Sequence, residues 1–302
     1  MRWRWWWRRL LALAAGAAAV WLVGVWPPPI WWRTHWPERT AMMRRSPATP
    51  AGQPAAVPRH AGVLYEPTPL AEIAPVLQRL VILAEDSRFR THWGVDPAEM
   101  ADAIGLSPDA GLRETLSTVW RRRDRIRGAS TITQQLAKNL YLSPTRNPLR
   151  KVKEIATAFR LEAALSKDRI LELYLSLAEL GPGVWGVGPA SRAYFGLSPR
   201  HLAIDQAASL AATLPHPRSS NPGFRPSRML DRRRLILARY YGADVTIPRV
   251  DELEVAIDSI VLPTIELPRI PPALDSLIDS VLVPVPPVAP DTVPAPRDTV
   301  PS

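Results

Sequence analysis

Two adjacent acids, Glu85 and Asp86, end an apolar run in the segment ILAEDSRFRTHWGVD, residues 82–96. A carboxylate at the edge of a hydrophobic core is partly desolvated, which raises its pKa and suits a general base or acid. The charges of the residues that follow, Arg88, Arg90 and His92, can shift this pKa further. The alternative is a solvated surface pair, the commoner role of acids beside Arg at a helix end. His92 has no His partner at metal-ligand spacing, so it does not indicate a metal site.

A second group of polar residues lies in GASTITQQLAKNLYL, residues 128–142. Its hydroxyls offer an N-cap for a helix. The polar residues after the cap form two pairs at i and i+4 spacing, and each pair shares a helix face that can bind sugar hydroxyls and phosphate oxygens. The alternative is an ordinary capped helix with a polar face. The candidate binding residues are Ser130, Gln134, Gln135, Lys138 and Asn139.

A third group lies in RNPLRKVKE, residues 146–154, where four cations precede one acid. Like charges at this density repel one another unless an anion occupies the space between them. The cations are Arg146, Arg150, Lys151 and Lys153. Glu154 can pair with Arg150 four residues back or Lys151 three back, and this helix-surface salt bridge is the alternative to a role in chemistry.

Lysine is rare in this chain and is clustered. Of 38 basic residues only four are lysines, and they are Lys138, Lys151, Lys153 and Lys167. The ammonium group is a compact, mobile point charge, whereas the planar Arg fork fixes a bidentate geometry. Lys138, Lys151 and Lys153 are therefore predicted to contact a phosphate group.

The charge distribution and the lack of cysteine exclude several classes of protein. Residues from 245 onward contain nine acids and three Arg, so the net charge of +10 becomes +16 for residues 1–244 once the tail's −6 is removed. A charge of this size favours a phosphate-rich partner. Without cysteine the chain can have no disulfide, thiolate zinc site or Cys nucleophile.

The first 26 residues have the pattern of a signal anchor. Residues 1–9 contain four Arg and four Trp, residues 10–26 carry no charge, and three Pro follow. Helix at about 1.5 Å per residue makes this run about 26 Å long, close to the ~30 Å hydrocarbon layer. We predict one transmembrane helix with a cytoplasmic N-terminus. The alternative, a cleaved signal peptide, also exports the remaining chain, so nucleic acid is not an expected partner.

Apolar residues at helical spacing dominate the middle of the chain. They recur from Leu70, Val152 and Ile170, and in the segments 206–214 and 229–241, while no segment alternates convincingly as a strand does. We predict a mainly α domain over residues 62–244. Residues 27–61, rich in Pro and Arg, are predicted to be a linker. The acidic, Pro-rich residues 245–302 are predicted to be a disordered tail, with at most a short helix at 251–262.

Four segments, taken together, resemble the peptidoglycan glycosyltransferase family (glycosyltransferase family 51). They are EDSRFRTHWGVD (85–96), RGASTITQQLAKNLYL (127–142), RKVKE (150–154) and KDRILELYLSLAELGPGVWGVGPASRAYFG (167–196). They follow the family's order and spacing between residues 62 and 241. The predicted anchor and the lack of a penicillin-binding half are most similar to the family's monofunctional biosynthetic transglycosylases.

The resemblance implies a lysozyme-like helical domain that polymerises lipid II into β-1,4-linked glycan strands with release of undecaprenyl pyrophosphate. It implies that Glu85 is the general base for the acceptor's 4-hydroxyl, that Asp86 positions it, and that Glu154 lies near the donor's leaving group. It assigns Lys138, Arg146 and Lys153 to the donor pyrophosphate. It places in the same cleft Ser130, Gln134, Gln135 and Asn139, with Arg150 and Lys151 beside the cations.

The resemblance also implies where and with what the protein works. The partners are lipid II, the growing glycan strand and the membrane, with divisome proteins or penicillin-binding proteins as further candidates. The domain is expected on the outer face of the bacterial plasma membrane, with a membrane-associated segment between about 97 and 120. A divalent cation, Mg²⁺ or Mn²⁺, assists some family members, but no dedicated metal site is evident in this sequence.

Two positions depart from the family pattern, and two other functions compete with the one implied. Ser176 stands where the family usually has Asn, and Leu180 where Phe is common. One alternative is a lytic or hydrolytic enzyme on the same scaffold, although cutting a glycan needs no cluster of cations for pyrophosphate. The other is a catalytically silent scaffold that binds lipid II. A bifunctional penicillin-binding protein is excluded because no S-x-x-K motif is present.

Overall fold

The computed structural model describes residues 24–40, 42–43, 64–106, 130–142 and 148–248, with isolated positions elsewhere. The prediction of a mainly α domain is confirmed over these residues, which form eight α-helices. The helices are α1 (Pro75–Glu85), α2 (Pro97–Ile104), α3 (Ile132–Tyr141), α4 (Pro148–Ala164), α5 (Lys167–Leu177), α6 (Val187–Phe195), α7 (Ile204–Thr213) and α8 (Ser227–Tyr240).

Two groups of helices build the core and meet around the candidate acids. Helix α3 packs against α4 and α5, and α7 packs against α1 and α8. Leu77, Leu136, Ile170 and Leu210 are among the buried side chains at these contacts. Since α1 ends at Glu85, this packing brings the end of α1 into the same region as α3 and α8.

A small sheet that the sequence did not predict accompanies the helices. Strands β1 (Leu64–Tyr65), β2 (Glu179–Gly181) and β3 (Val184–Trp185) form it in the order β1-β3-β2. Strand β1 runs parallel to β3, and β2 runs antiparallel to it. Strands of two or three residues are too short to produce a recognisable alternation of polar and apolar residues.

Several predicted segments lie outside the described residues. These are most of the anchor at 10–26, most of residues 41–63, and the tail from 249 onward with its possible helix at 251–262. Within the described part of the chain, no helix is both long enough and apolar enough to cross a membrane.

The first part of the predicted linker packs on the helical domain. A short 3₁₀ helix spans Pro29–Arg33, and Trp32 in it is only 6 % exposed. Its Nε1 donates to the Tyr141 hydroxyl at 2.6 Å, and Arg169 Nε donates to the Trp32 carbonyl at 2.7 Å. Residues 29–33 are therefore fixed against the last residue of α3 and the first turn of α5.

Because Trp32 is buried and hydrogen-bonded, we expect Trp32→Ala to lower the free energy of unfolding by about 3–5 kcal/mol. The neighbouring Trp31 is 47 % exposed, so Trp31→Ala serves as the matched control, with an expected change of about 0.5 kcal/mol. Denaturant unfolding of the detergent-solubilised chain measures both values. Equal effects of the two substitutions would contradict the packing of this segment.

Ser176, one of the two departures from the family pattern, joins α5 to the segment after β1. Its side chain is fully buried, its Oγ accepts from the Thr68 N–H at 3.1 Å, and it donates to the Thr68 carbonyl at 3.2 Å. A hydroxyl can make both bonds because it is both donor and acceptor. Leu180, the other departure, is fully buried in the core.

Ser176→Ala leaves the buried Thr68 N–H and carbonyl without their side-chain partner, so we expect a loss of stability of about 1–3 kcal/mol. Ser227→Ala, at an exposed serine without a capping bond, is the control. Thermal unfolding of both variants measures the difference. A Ser176→Ala protein as stable as the control would show that Thr68 finds other partners at no cost.

Candidate active site

Helix α3 carries residues that interact with the two candidate acids, Glu85 and Glu154. Its N-terminus is fixed by a capping box, in which the Thr131 hydroxyl accepts from the Gln134 N–H at 3.1 Å and Gln134 Oε1 accepts from the Thr131 N–H at 3.0 Å. The Thr131 hydroxyl also donates to the Gly94 carbonyl at 2.7 Å. These bonds hold the start of α3 against the loop that follows Asp86.

Glu85, the last residue of α1, has a nearly buried carboxylate that faces two donors. Its side chain is 10 % exposed. Oε2 accepts a hydrogen bond from Gln135 Nε2 at 3.1 Å, and Oε1 accepts one from Arg232 Nη2 at 3.0 Å. Each carboxylate oxygen has two lone pairs, so each retains one acceptor position for a substrate hydroxyl.

Asp86 is held in a different way from Glu85. Both of its oxygens lie 2.9 Å from His92 Nε2, and Oδ2 also accepts from the Ile132 N–H at 2.9 Å. Ile132 is the first residue of α3, where unpaired backbone N–H groups and the helix dipole favour an anion. Asp86 thereby fixes the end of α1 against the start of α3; its role in positioning Glu85 stays a prediction.

Glu154 forms both of the ion pairs that its spacing predicts. Oε2 lies 3.2 Å from Arg150 Nη1, and Oε1 lies 2.5 Å from Lys151 Nζ. Lys151 also donates to Ser130 Oγ at 2.8 Å. Glu154 is only 3 % exposed, so these are not the solvated surface pairs of the alternative interpretation.

Lys138 on α3 lies within the electrostatic reach of both acids. Burial lowers the pKa of its ammonium group, Arg150 and Lys151 lower it further, and Glu154 and Glu85 act in the opposite direction. Both oxygens of the nearby Glu154 are already paired with Arg150 and Lys151. A desolvated cation beside an acid that other cations already hold is suited to binding an anionic substrate group.

The remaining predicted site residues have varied surroundings. Gln134 is 1 % exposed and uses its Oε1 in the helix cap, while its buried Nε2 has no partner among the described residues. Asn139 is also buried on α3, and Lys153 is half-buried on α4. Arg146 lies outside the described residues. The structure thus gives Gln134 a capping function in addition to any contact with substrate.

Three residues near the acids were missed by the sequence analysis. Arg232 on α8 reaches Glu85 across 147 positions, and the Tyr174 hydroxyl on α5 donates to Gln135 Oε1 at 3.1 Å. Glu162 Oε1 on α4 accepts from Thr133, Lys167 and the Gly94 N–H within 3.1 Å. Lys167, the fourth lysine of the cluster, therefore supports the loop rather than a phosphate. No local spacing rule connects residues so far apart.

The side chains around the acids do not fit a protein-bound divalent cation. Within the described ranges, no three His, Asp or Glu side chains are grouped so that they could hold a metal ion. The oxygens of Glu154 and Asp86 already accept from cations and from N–H donors.

Comparison with known proteins decides the family. The sequence model described as Transglycosylase matches residues 58–241. The chain belongs to the peptidoglycan transglycosylase family. This confirms the predicted family and the enzyme class, peptidoglycan glycosyltransferase. The match includes both candidate acids and helices α1 to α8.

Individual relatives agree with the family assignment. A biosynthetic peptidoglycan transglycosylase of Azoarcus sp. is 40 % identical over 225 residues, which cover 74 % of this chain and 90 % of the relative. One from Thiobacillus denitrificans is 38 % identical over 82 % of this chain and 98 % of its own length. Penicillin-binding protein 1A of Escherichia coli is 39 % identical over 173 residues, only 19 % of that protein. This chain therefore matches the two transglycosylases over nearly their whole length, but only a small part of the penicillin-binding protein.

Proposed function

We propose that this protein polymerises lipid II, with Glu85 as the general base. In this reaction Glu85 accepts the proton of the 4-hydroxyl of the acceptor's GlcNAc as that oxygen attacks the anomeric carbon of the donor's MurNAc. The bond from that carbon to the pyrophosphate oxygen breaks, and undecaprenyl pyrophosphate leaves with the electron pair. Attack opposite to the leaving group inverts the anomeric centre and produces a β-1,4 link.

The main support for this proposal is the arrangement of charges around α3. The nearly buried Glu85 carboxylate stands at the end of α1, and the desolvated Lys138 ammonium interacts electrostatically with both Glu85 and Glu154. Departure of pyrophosphate concentrates negative charge, which preorganised cations in a partly dry site stabilise strongly. Lys138, Arg150 and Lys151 provide such cations on the side of Glu154.

The same charges argue against a lytic or hydrolytic function. A glycosidase of this type needs one protonated carboxyl group to protonate the leaving sugar oxygen. Here both candidate acids accept hydrogen bonds from cations, Glu85 from Arg232 and Glu154 from Arg150 and Lys151. Cutting a glycan also releases no pyrophosphate, so it would leave the cations Lys138, Arg150 and Lys151 without a function.

We further propose that the domain works on the outer face of the plasma membrane, anchored by residues 10–26. An exposed apolar surface on the domain supports this location. Trp93 is 59 % exposed and lies against Phe159, with 6.2 Å between ring centroids, and Leu149 and Val152 are exposed on α4 with Phe159. Such a surface, beside Lys153 and Arg160, suits the boundary between lipid acyl chains and anionic head groups. Penicillin-binding proteins or divisome proteins remain proposed partners.

The test incubates the detergent-solubilised chain with lipid II or with finished glycan strands, and resolves the products on a gel. We expect long strands from lipid II and no cleavage of finished glycan. Shortened glycan with no polymerisation would establish the lytic alternative. Bound but unconverted lipid II, with intact glycan, would establish the silent scaffold.

A further inference from the structure

The Glu85 carboxylate is held from two sides by helices that are distant in sequence. On one side Arg232 Nη2 of α8 lies 3.0 Å from Oε1. On the other side Gln135 Nε2 of α3 lies 3.1 Å from Oε2, and the Tyr174 hydroxyl of α5 lies 3.1 Å from Gln135 Oε1. The orientation of the carboxylate therefore depends on α3, α5 and α8 together.

Arg232 is rigidly held. It is 6 % exposed, and its Nη2 also donates to the Ala84 carbonyl at 3.2 Å. Its Nη1 donates to the Pro248 carbonyl, just beyond α8. Because the guanidinium group is planar, these three acceptors fix its plane. It thus presents a cation in a constant direction to one oxygen of Glu85.

Tyr174 determines which way the Gln135 amide points. A carboxylate can only accept, so the amide must turn its NH₂ group toward Glu85 and its oxygen toward Tyr174. Burial, followed by the charges of Glu85 and Asp86, raises the pKa of Tyr174 well above its ordinary value. The hydroxyl therefore keeps its proton and remains a donor to the amide oxygen. Without that donor the amide loses the bond that fixes its orientation.

We propose that Arg232 and Tyr174 are positioning residues for Glu85, Arg232 by direct contact with one carboxylate oxygen and Tyr174 through the Gln135 amide on the other. This inference rests on the proposed role of Glu85 as the general base. One lone pair on each oxygen stays directed toward the acceptor hydroxyl, while rotation of the carboxylate is prevented. Small errors in the placement of a reacting group can cost about 10²-fold in rate.

The test compares full-length variants in the lipid II assay, measuring kcat, KM and the thermal midpoint. For Tyr174→Phe we expect kcat to fall on the order of 10-fold with KM unchanged. The matched control is Tyr194→Phe, which removes the hydroxyl of a half-buried tyrosine that donates to the Leu180 carbonyl at 2.8 Å, and it should keep the wild-type kcat.

For Arg232→Met we expect kcat to fall about 10²-fold with KM unchanged. Arg232→Lys keeps the charge but not the planar fork, so it should reduce kcat by less than Arg232→Met does. Should Arg232→Met not fold, Arg232→Lys and Tyr174→Phe decide the question.

The outcomes separate this inference from the proposed function. If Glu85→Gln is inactive while Tyr174→Phe and the folded Arg232 variants keep the wild-type kcat, the positioning role alone is overturned. Equal changes in kcat and thermal midpoint for Tyr174→Phe and Tyr194→Phe would make Tyr174 merely structural. A Glu85→Gln protein with wild-type kcat would instead overturn the base assignment itself.

Discussion

Glu85→Gln is expected to lower the rate of lipid II polymerisation by about 10²- to 10⁴-fold, the usual contribution of a general base. Gln has nearly the same shape as Glu but cannot accept the proton of the acceptor hydroxyl. Its amide oxygen can still accept from Arg232, which keeps its backbone acceptors at Ala84 and Pro248. The cost in stability should therefore stay near about 1–3 kcal/mol, and the variant should fold.

The measurement is single-turnover polymerisation by variant and wild type, with thermal unfolding of each. Glu72→Gln is the matched control, because it makes the same change at an exposed carboxylate shortly before α1 and should keep full activity. A Glu85→Gln protein that polymerises as fast as this control would remove Glu85 from the chemistry. Glu154 would then be the next carboxylate to test.

Features encoded over short distances in sequence could be predicted well. Apolar spacing predicted helices later found as α1, α4, α5, α7 and α8, and the i+3 and i+4 spacing before Glu154 predicted both of its ion pairs. Such features depend on helical geometry alone, in which residues three or four positions apart are neighbours. The family motifs then identified both acids together.

Features that depend on distant contacts could not be predicted. Arg232 lies in α8, which contains several arginines, and the sequence does not indicate which of them contacts an acid. Tertiary packing places Arg232 beside Glu85. Trp32 lies in a Pro- and Arg-rich stretch without periodicity, so its burial against Tyr141 left no sequence signal. The spacing of polar residues on α3 likewise did not show that Gln134 caps the helix whereas Gln135 donates to Glu85.

Lys138→Met is expected to reduce turnover by about 10²- to 10³-fold, as removal of a preorganised charge-stabilising group does. It should also raise the thermal midpoint. Burial lowers the pKa of Lys138, so the folded state binds its proton less tightly than the unfolded state does. The charged form therefore destabilises the fold at every pH below the folded pKa, and the penalty is relieved as pH rises through that value. Methionine fills similar space without the charge.

Single-turnover assays and thermal scans at neutral and alkaline pH measure both effects. The gain in stability over wild type should shrink as the pH rises, since wild-type Lys138 then loses its own penalty. Arg234→Met, at a cation 68 % exposed on α8, is the matched control and should change neither quantity. A stable but slow Lys138→Met protein means that the cation is retained for the pyrophosphate at a cost to the fold. An unstable or fully active one would contradict that function.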